Sequence, residues 1–258
     1  MKLLVPLVTP YTDDSTAISE IRLARAIKWH KEHGATGFVV MSAAGEPHTL
    51  GLAERKELLE LVDRELRDIP MVVNVTGPTT AYSIEVCQRA EAIGAVAAVA
   101  SPPPGHHLTK EEAVSFLGAL RRYGGLSVSL FDASGVHADV NQLSSLQTGT
   151  FPGKLTEHGE EAIALNSHGS TCEFWTEHGI AHPLAMFGCD NAQIWLSDWA
   201  RFKPLFQGLF KLGGYERTGK YFMEKIGIDC GPPRGPSLPL SPEGRQLVDT
   251  LVSAIQPR

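Results

Sequence analysis

Thr36-Gly37-Phe38-Val39-Val40-Met41-Ser42-Ala43-Ala44-Gly45-Glu46 carries the clearest fold signal in the chain. Its first half, Thr36 to Met41, is an apolar run rich in β-formers. Its second half is a turn of small residues, and an amphipathic helix is expected from Leu52 to Leu66. A strand that is apolar at nearly every position suits a sheet covered on both faces. A strand followed by a helix of this length suits a parallel sheet with right-handed crossovers.

The same unit recurs on either side. Leu3 to Val8 reads as a strand, and Ile18 to His33 as a helix with Ile21, Ala24, Ile27 and Trp29 among its apolar positions and Gly34 as its stop. Met71 to Val75, Ala95 to Ala100 and Leu126 to Phe131 read as further strands. Ala81 to Ile93 and Lys110 to Tyr123 are the helices between them. No G-x-G-x-x-G follows the first strand, which counts against a dinucleotide-binding sheet. A closed barrel and an open doubly wound sheet both satisfy the pattern at this level.

After residue 135 the alternation weakens. Thr150 to Leu155 is a candidate sixth strand with Pro152 inside it, which limits its pairing. Residues 156–187 show poor periodic order. Ile194 to Leu212, Gly214 to Ile226 and Pro242 to Ile255 read as helices, the last after a proline-rich connector from Gly231. The chain therefore divides into a (β/α) barrel over 1–190, its last strands incomplete, and a C-terminal helical region over 191–258.

Composition narrows the function. The 258 residues carry a formal net charge of −6 and no cluster of Lys and Arg, so no nucleic-acid partner is expected. No apolar run approaches the about 18 residues that a membrane helix needs. The N-terminus reaches Asp13-Asp14 too soon for a secretory signal. Cys87, Cys172, Cys189 and Cys230 lie far apart and read as free thiols of a cytoplasmic protein.

In a barrel the chemistry sits on the loops that follow the strand C-termini. The turn Ser42-Ala43-Ala44-Gly45-Glu46 can present successive backbone N–H groups to a carboxylate. It can equally be a tight turn that only lets strand and helix pack. Lys154 ends the candidate sixth strand. Burial lowers a lysine's pKa, and a neutral amine attacks a carbonyl to form a Schiff base. The alternative is a lysine that snorkels to the rim.

Several further motifs stand in order: Leu7-Val8-Thr9-Pro10-Tyr11, Gly34-Ala35-Thr36-Gly37, Glu54-Arg55, Val75-Thr76-Gly77, Ala90-Glu91-Ala92-Ile93-Gly94-Ala95 and Gly231-Pro232-Pro233-Arg234-Gly235-Pro236. With the Ser42–Glu46 turn they resemble the dihydrodipicolinate synthase / N-acetylneuraminate lyase superfamily. The resemblance implies a TIM (β/α)8-type barrel and a class I lyase or aldolase. It implies a pyruvate or 2-keto acid Schiff base on Lys154 and a carboxylate grip from the backbone of Ala43 and Ala44. Phe131 matches the position of a proton-relaying tyrosine, and Gly188 in Gly188-Cys189-Asp190-Asn191 matches a substrate-binding segment. No cofactor is implied, and a homo-oligomer, dimer or tetramer, is.

The departures fall on the chemistry. Ala43 and Ala44 replace two threonines, and Phe131 lacks a hydroxyl, so none of the three can pass a proton. Val136 stands where dihydrodipicolinate synthases carry an arginine, which argues against that particular activity. Asp132 and His137 are candidates for a substitute acid or base, the alternative being that both sit in an exposed loop. The expected function is a divergent Schiff-base lyase, with a non-catalytic carboxylate-binding relative as the alternative. Ten histidines invite a metal reading. His168/Cys172 and His178/His182 are spaced four apart, but Gly169 and Gly179 interrupt the helices they require, so no metal is expected.

Overall fold

Strand β1 (Lys2–Pro6) is the strand around which the sheet is ordered, with β2 (Gly37–Val40) on one side and β8 (His178–Ile180) on the other, both parallel to it. The computed structural model describes residues 2–131 apart from positions 34, 36, 68 and 107, three short strands between 153 and 180, and residues 215–255. Beyond β2 come β3 (Met71–Asn74), β4 (Ala97–Ala100) and β5 (Val128–Phe131), each parallel to the one before. The sheet then continues through β7 (Ala162–Leu165) to β6 (Gly153–Leu155), and both of these pairings are antiparallel. The strand order is β6-β7-β5-β4-β3-β2-β1-β8. Among the described residues no ladder joins β6 to β8.

All four positions of β2 and of β4 are buried. The wholly apolar reading of these strands thus has its physical cause: the sheet is covered on both faces. The described part of the candidate sixth strand is Gly153–Leu155.

The crossover helices are α1 (Glu20–Glu32), α2 (Leu52–Leu66), α3 (Thr80–Ala92) and α4 (Lys110–Gly124). In α1 the buried stripe is Leu23, Ala26, Ile27 and His30, one face at helical spacing. The expected apolar position Ile21 instead lies 67% exposed. The Thr109 hydroxyl accepts from the Glu112 N–H, and the Glu112 carboxylate accepts in return from the Thr109 N–H, so α4 starts on a closed capping box. Helices α3 and α4 approach closely at Gly124, where an added Cβ would lie 2.7 Å from Cys87 Sγ.

The C-terminal helices are α5 (Tyr215–Lys225) and α6 (Pro242–Ile255). Helix α5 packs against the turn after β2 and nears β1 at Gly219, where an added Cβ would meet Val8 at 3.2 Å. Tyr221 of α5 donates to Asp249 of α6. Among the described residues no helix is long and apolar enough to cross a membrane.

Candidate functional site

The turn after β2 is the centre of the site. Met41 and Glu46 bracket it, both in the left-handed region with φ of 58° and 53°. Ala43–Gly45 form one 3-10 turn between them, closed by Gly45 N–H donating to Ser42 C=O at 2.9 Å. Thr9, three residues beyond β1, donates its hydroxyl to Gly45 C=O at 2.5 Å. An added Cβ on Gly45 would lie 2.9 Å from Leu7 C=O, so only glycine allows this approach of turn to strand. Ser42 is buried, and its hydroxyl has no hydrogen-bond partner.

Glu46 anchors the turn from beneath. Its carboxylate is fully buried and ion-paired to Lys220 of α5 at 2.5 Å, with that lysine side chain 4% exposed. The other carboxylate oxygen accepts from the Arg234 backbone N–H at 2.8 Å. Lys220 also donates to Pro232 C=O at 2.9 Å. Burial pulls the Lys220 ammonium below its ordinary pKa, and the Glu46 carboxylate opposes that shift.

Tyr11 lies between two cations: Lys220 Nζ and Arg234 Cζ each sit 4.2 Å from its ring centroid. Its hydroxyl, pushed up to about 12 mainly by burial, pairs with the Thr49 hydroxyl at 2.8 Å. Arg234 reaches Glu54 at 2.8 Å and takes the carbonyls of Ser15, Thr16 and Thr49. Arg55 is buried and donates to the carbonyls of Pro47, Leu50 and Thr76. Thr76 in turn binds Asn74 and accepts from Ser101 N–H, which ties the ends of β3 and β4 together. The result is a set of strand-end loops tied together by ion pairs and by arginine-to-carbonyl hydrogen bonds around the Ala43–Gly45 turn.

The expected chemical residues fall elsewhere on the sheet. Phe131 is the last residue of β5 and its backbone pairs with Ala164, which also pairs with Gly153. Lys154 follows as the middle residue of β6, opposite Ile163. One strand therefore separates Phe131 from Lys154, about 10 Å at the usual strand spacing. The ladder places β6 five strands from β2, so neighbouring pairing does not bring Lys154 to the Ala43–Ala44 turn. Gly188, Asp132 and His137 lie outside the described residues, as do His168, Cys172 and His182. His178 falls in β8, so helical spacing does not apply to it. Among the described residues no group of three His, Cys, Asp or Glu side chains is placed to hold a metal.

Sequence reading missed Lys220, which was only part of a helical stretch. The signal was there: Gly219, Phe222 and Met223 make the buried face of α5, and Lys220 stands three residues before Met223 on it.

Comparison with known proteins agrees with this geometry. Residues 1–149 match the model of the dihydrodipicolinate synthetase family. A 4-hydroxy-tetrahydrodipicolinate synthase of Coxiella burnetii is 32% identical over 109 residues, 42% of this chain and 37% of the relative. That match spans little more than a third of the relative's length. A Bacillus anthracis dihydrodipicolinate synthase superposes with a TM-score of 0.80 at 18% identity, covering 100% of this chain and 98% of the other. The Escherichia coli K12 prophage protein YagE, solved in complex with pyruvate, gives 0.76 at 16% identity, covering 99% and 98%. The chain belongs to the dihydrodipicolinate synthetase family, within the class I pyruvate-dependent aldolase superfamily, and its fold is the α/β barrel of these synthases.

Proposed function

We propose that this family member is a divergent Schiff-base-forming lyase or aldolase, acting on pyruvate or another 2-keto acid and not on the dihydrodipicolinate synthase substrate pair. The observation that carries the reading is the turn after β2. Its backbone is fixed by Thr9, Lys220, Arg234 and a buried Glu46, which is preorganisation for a bound carboxylate. A grip made of backbone N–H groups survives the replacement of threonine by Ala43 and Ala44.

In the proposed reaction the neutral Lys154 amine adds to the keto carbon, the carbinolamine hydroxyl takes up a proton from solvent and leaves as water, and the product is an iminium that withdraws electrons from the neighbouring bond. Ala43, Ala44 and Phe131 hold no transferable proton. Positioned acid–base groups contribute about 10²–10⁴-fold, so the relay must come from water, the substrate, Asp132 or His137. The loss of a synthase-type arginine at Val136 supports a different second substrate. A cytoplasmic homo-oligomer is part of the same reading, checked by light scattering on the purified chain.

The test is borohydride trapping. The full chain is incubated with pyruvate and a panel of 2-keto acids, reduced, weighed intact and mapped by peptide. The expected product is one adduct on Lys154 that is absent from Lys154→Ala. An adduct mapped to Lys220 overturns the assignment of the nucleophile. Saturable keto-acid binding without any adduct favours a second reading, a carboxylate-binding relative that does no chemistry. The three missing hydroxyls are the observation behind that alternative.

A further inference from the structure

A cavity lies behind the turn, between the loop after β1, helix α5, the 229–240 segment and α6. Its volume is about 400 Å³, within the range of small-molecule sites. Apolar walls come from Tyr221, Pro232, Pro239 and Leu240, and the charged lining includes Arg217, Lys220 and Arg245.

The question is which of these charges are already spent. Asp13 and Asp229 line the cavity, but both are ion-paired to Arg22 at 2.5 Å. Asp229 also accepts from Gly231 N–H. Lys220 is committed to Glu46 and to Pro232 C=O. Two guanidinium groups remain. Arg217 has a buried Nε with no hydrogen-bond partner, and its ion pair to Glu216 is 3.9 Å long, beyond charge-assisted bonding. Arg245 lends only its Nε, to Leu240 C=O at 3.3 Å, and its guanidinium stands 5.5 Å from the Tyr221 ring centroid. Its terminal nitrogens have no other partner among the described residues. Glu224 is exposed at the rim and is the one acid in the lining without an ion pair among the described residues.

We propose that this cavity is a binding site for a small monocarboxylate with an apolar body, held by the Arg217 and Arg245 guanidinium groups against the Tyr221, Pro239 and Leu240 walls. The planar forks match a carboxylate through their terminal nitrogens. The apolar walls favour a hydrocarbon body over a bare inorganic anion. Glu224 at the rim disfavours a multiply charged ligand such as phosphate. The site is separate from the Ala43–Ala44 turn, although Lys220 is shared by the wall of one and the foundation of the other.

Titration calorimetry of the full chain tests this with benzoate, with benzamide as its uncharged counterpart, and with inorganic phosphate. Saturable benzoate binding with none for benzamide is expected. The affinity should fall about tenfold to a hundredfold in Arg217→Gln, because a hydrogen bond to a charged group is lost. Arg217→Lys should restore part of it, and Glu224→Gln should strengthen it. Circular dichroism verifies folding of each variant. Absence of benzoate binding to the native chain overturns the proposal. Benzoate binding that is unchanged in folded Arg217→Gln and Arg245→Gln variants also overturns it, because the ligand then sits elsewhere. Phosphate binding in preference to benzoate overturns the assignment of ligand class. Borohydride trapping at Lys154 reads the other site, so the two proposals fail independently.

Discussion

Replacing Lys220 by methionine should cost more stability than any other single change near the turn. The side chain is 4% exposed and its partner Glu46 is fully buried, so neither charge has water to fall back on. Without the ammonium, the Glu46 carboxylate keeps only the Arg234 backbone N–H at 2.8 Å. Breaking a buried pair from one side costs about 3–5 kcal/mol, because a charge is left uncompensated. The Pro232 carbonyl at 2.9 Å and the Tyr11 ring face lose their cation as well. Glu46→Gln removes the other half of the pair and leaves a buried ammonium beside Arg234. The double variant carries neither uncompensated charge. Its cost should therefore fall short of the sum of the singles by about 1–3 kcal/mol. Urea unfolding of the native chain, both singles and the double closes this cycle. Costs that add to within about 0.5 kcal/mol would refute the pairing as the foundation of the turn.

Two further changes test the fold that presents the site. His30 is fully buried between Trp29 and Phe38, and neither ring nitrogen has a partner. Burial pulls its pKa from 6.5 down to about 3. Below about pH 6.5 the unfolded chain binds a proton that the folded chain refuses, so His30 destabilises the fold on acidification by about 1.4 kcal/mol per pH unit. Native stability relative to His30→Leu should be at its full value above about pH 6.5 and drop by about 3 kcal/mol by about pH 4; parallel pH profiles would sink the idea. Gly124→Ala drives a Cβ to 2.7 Å from Cys87 Sγ across the α3–α4 contact, and an overpacked contact of this kind costs about 1–3 kcal/mol. A lowered thermal midpoint is the expected result, and an unchanged midpoint would refute it.

The fold was legible through β5 because one physical pattern repeats there. Strands β2 and β4 are buried at all four positions, which forces apolar runs, and Thr109 with Glu112 caps its helix through residues visible in sequence. The stripe of α1 was harder. Ile21 looked like core and is exposed, whereas His30 supplies the fourth buried position, a role that hydrophobicity cannot reveal for an imidazole. After β5 the local pattern stops determining topology. β7 inserts between β5 and β6 through antiparallel ladders, and nothing in a three- or four-residue strand specifies such a partner. The turn Ser42–Glu46 was recognisable from its small residues, and Arg234 from its proline-rich segment. The pairing of Glu46 with Lys220 spans 174 positions and depends on how α5 docks, which no spacing rule encodes.

What the chain has kept and what it has lost follow different physical requirements. Binding a carboxylate needs oriented N–H groups, and their orientation depends on the left-handed Glu46, the Thr9 bond and the Lys220–Glu46–Arg234 charges. None of these depends on the side chains at Ala43 and Ala44. Moving a proton needs an acid–base group at a defined place, and Ala43, Ala44 and Phe131 supply none. Glu46 is fully buried, and its burial is costly unless every partner stays in place, so stability of the fold by itself requires the Lys220–Glu46–Arg234 set. On the proposed reading the same set also fixes the backbone that grips the carboxylate. On the proposed reading, the proton transfers are then left to the substrate, to water or to residues after β5, and the second substrate differs from that of the synthases whose fold the chain shares.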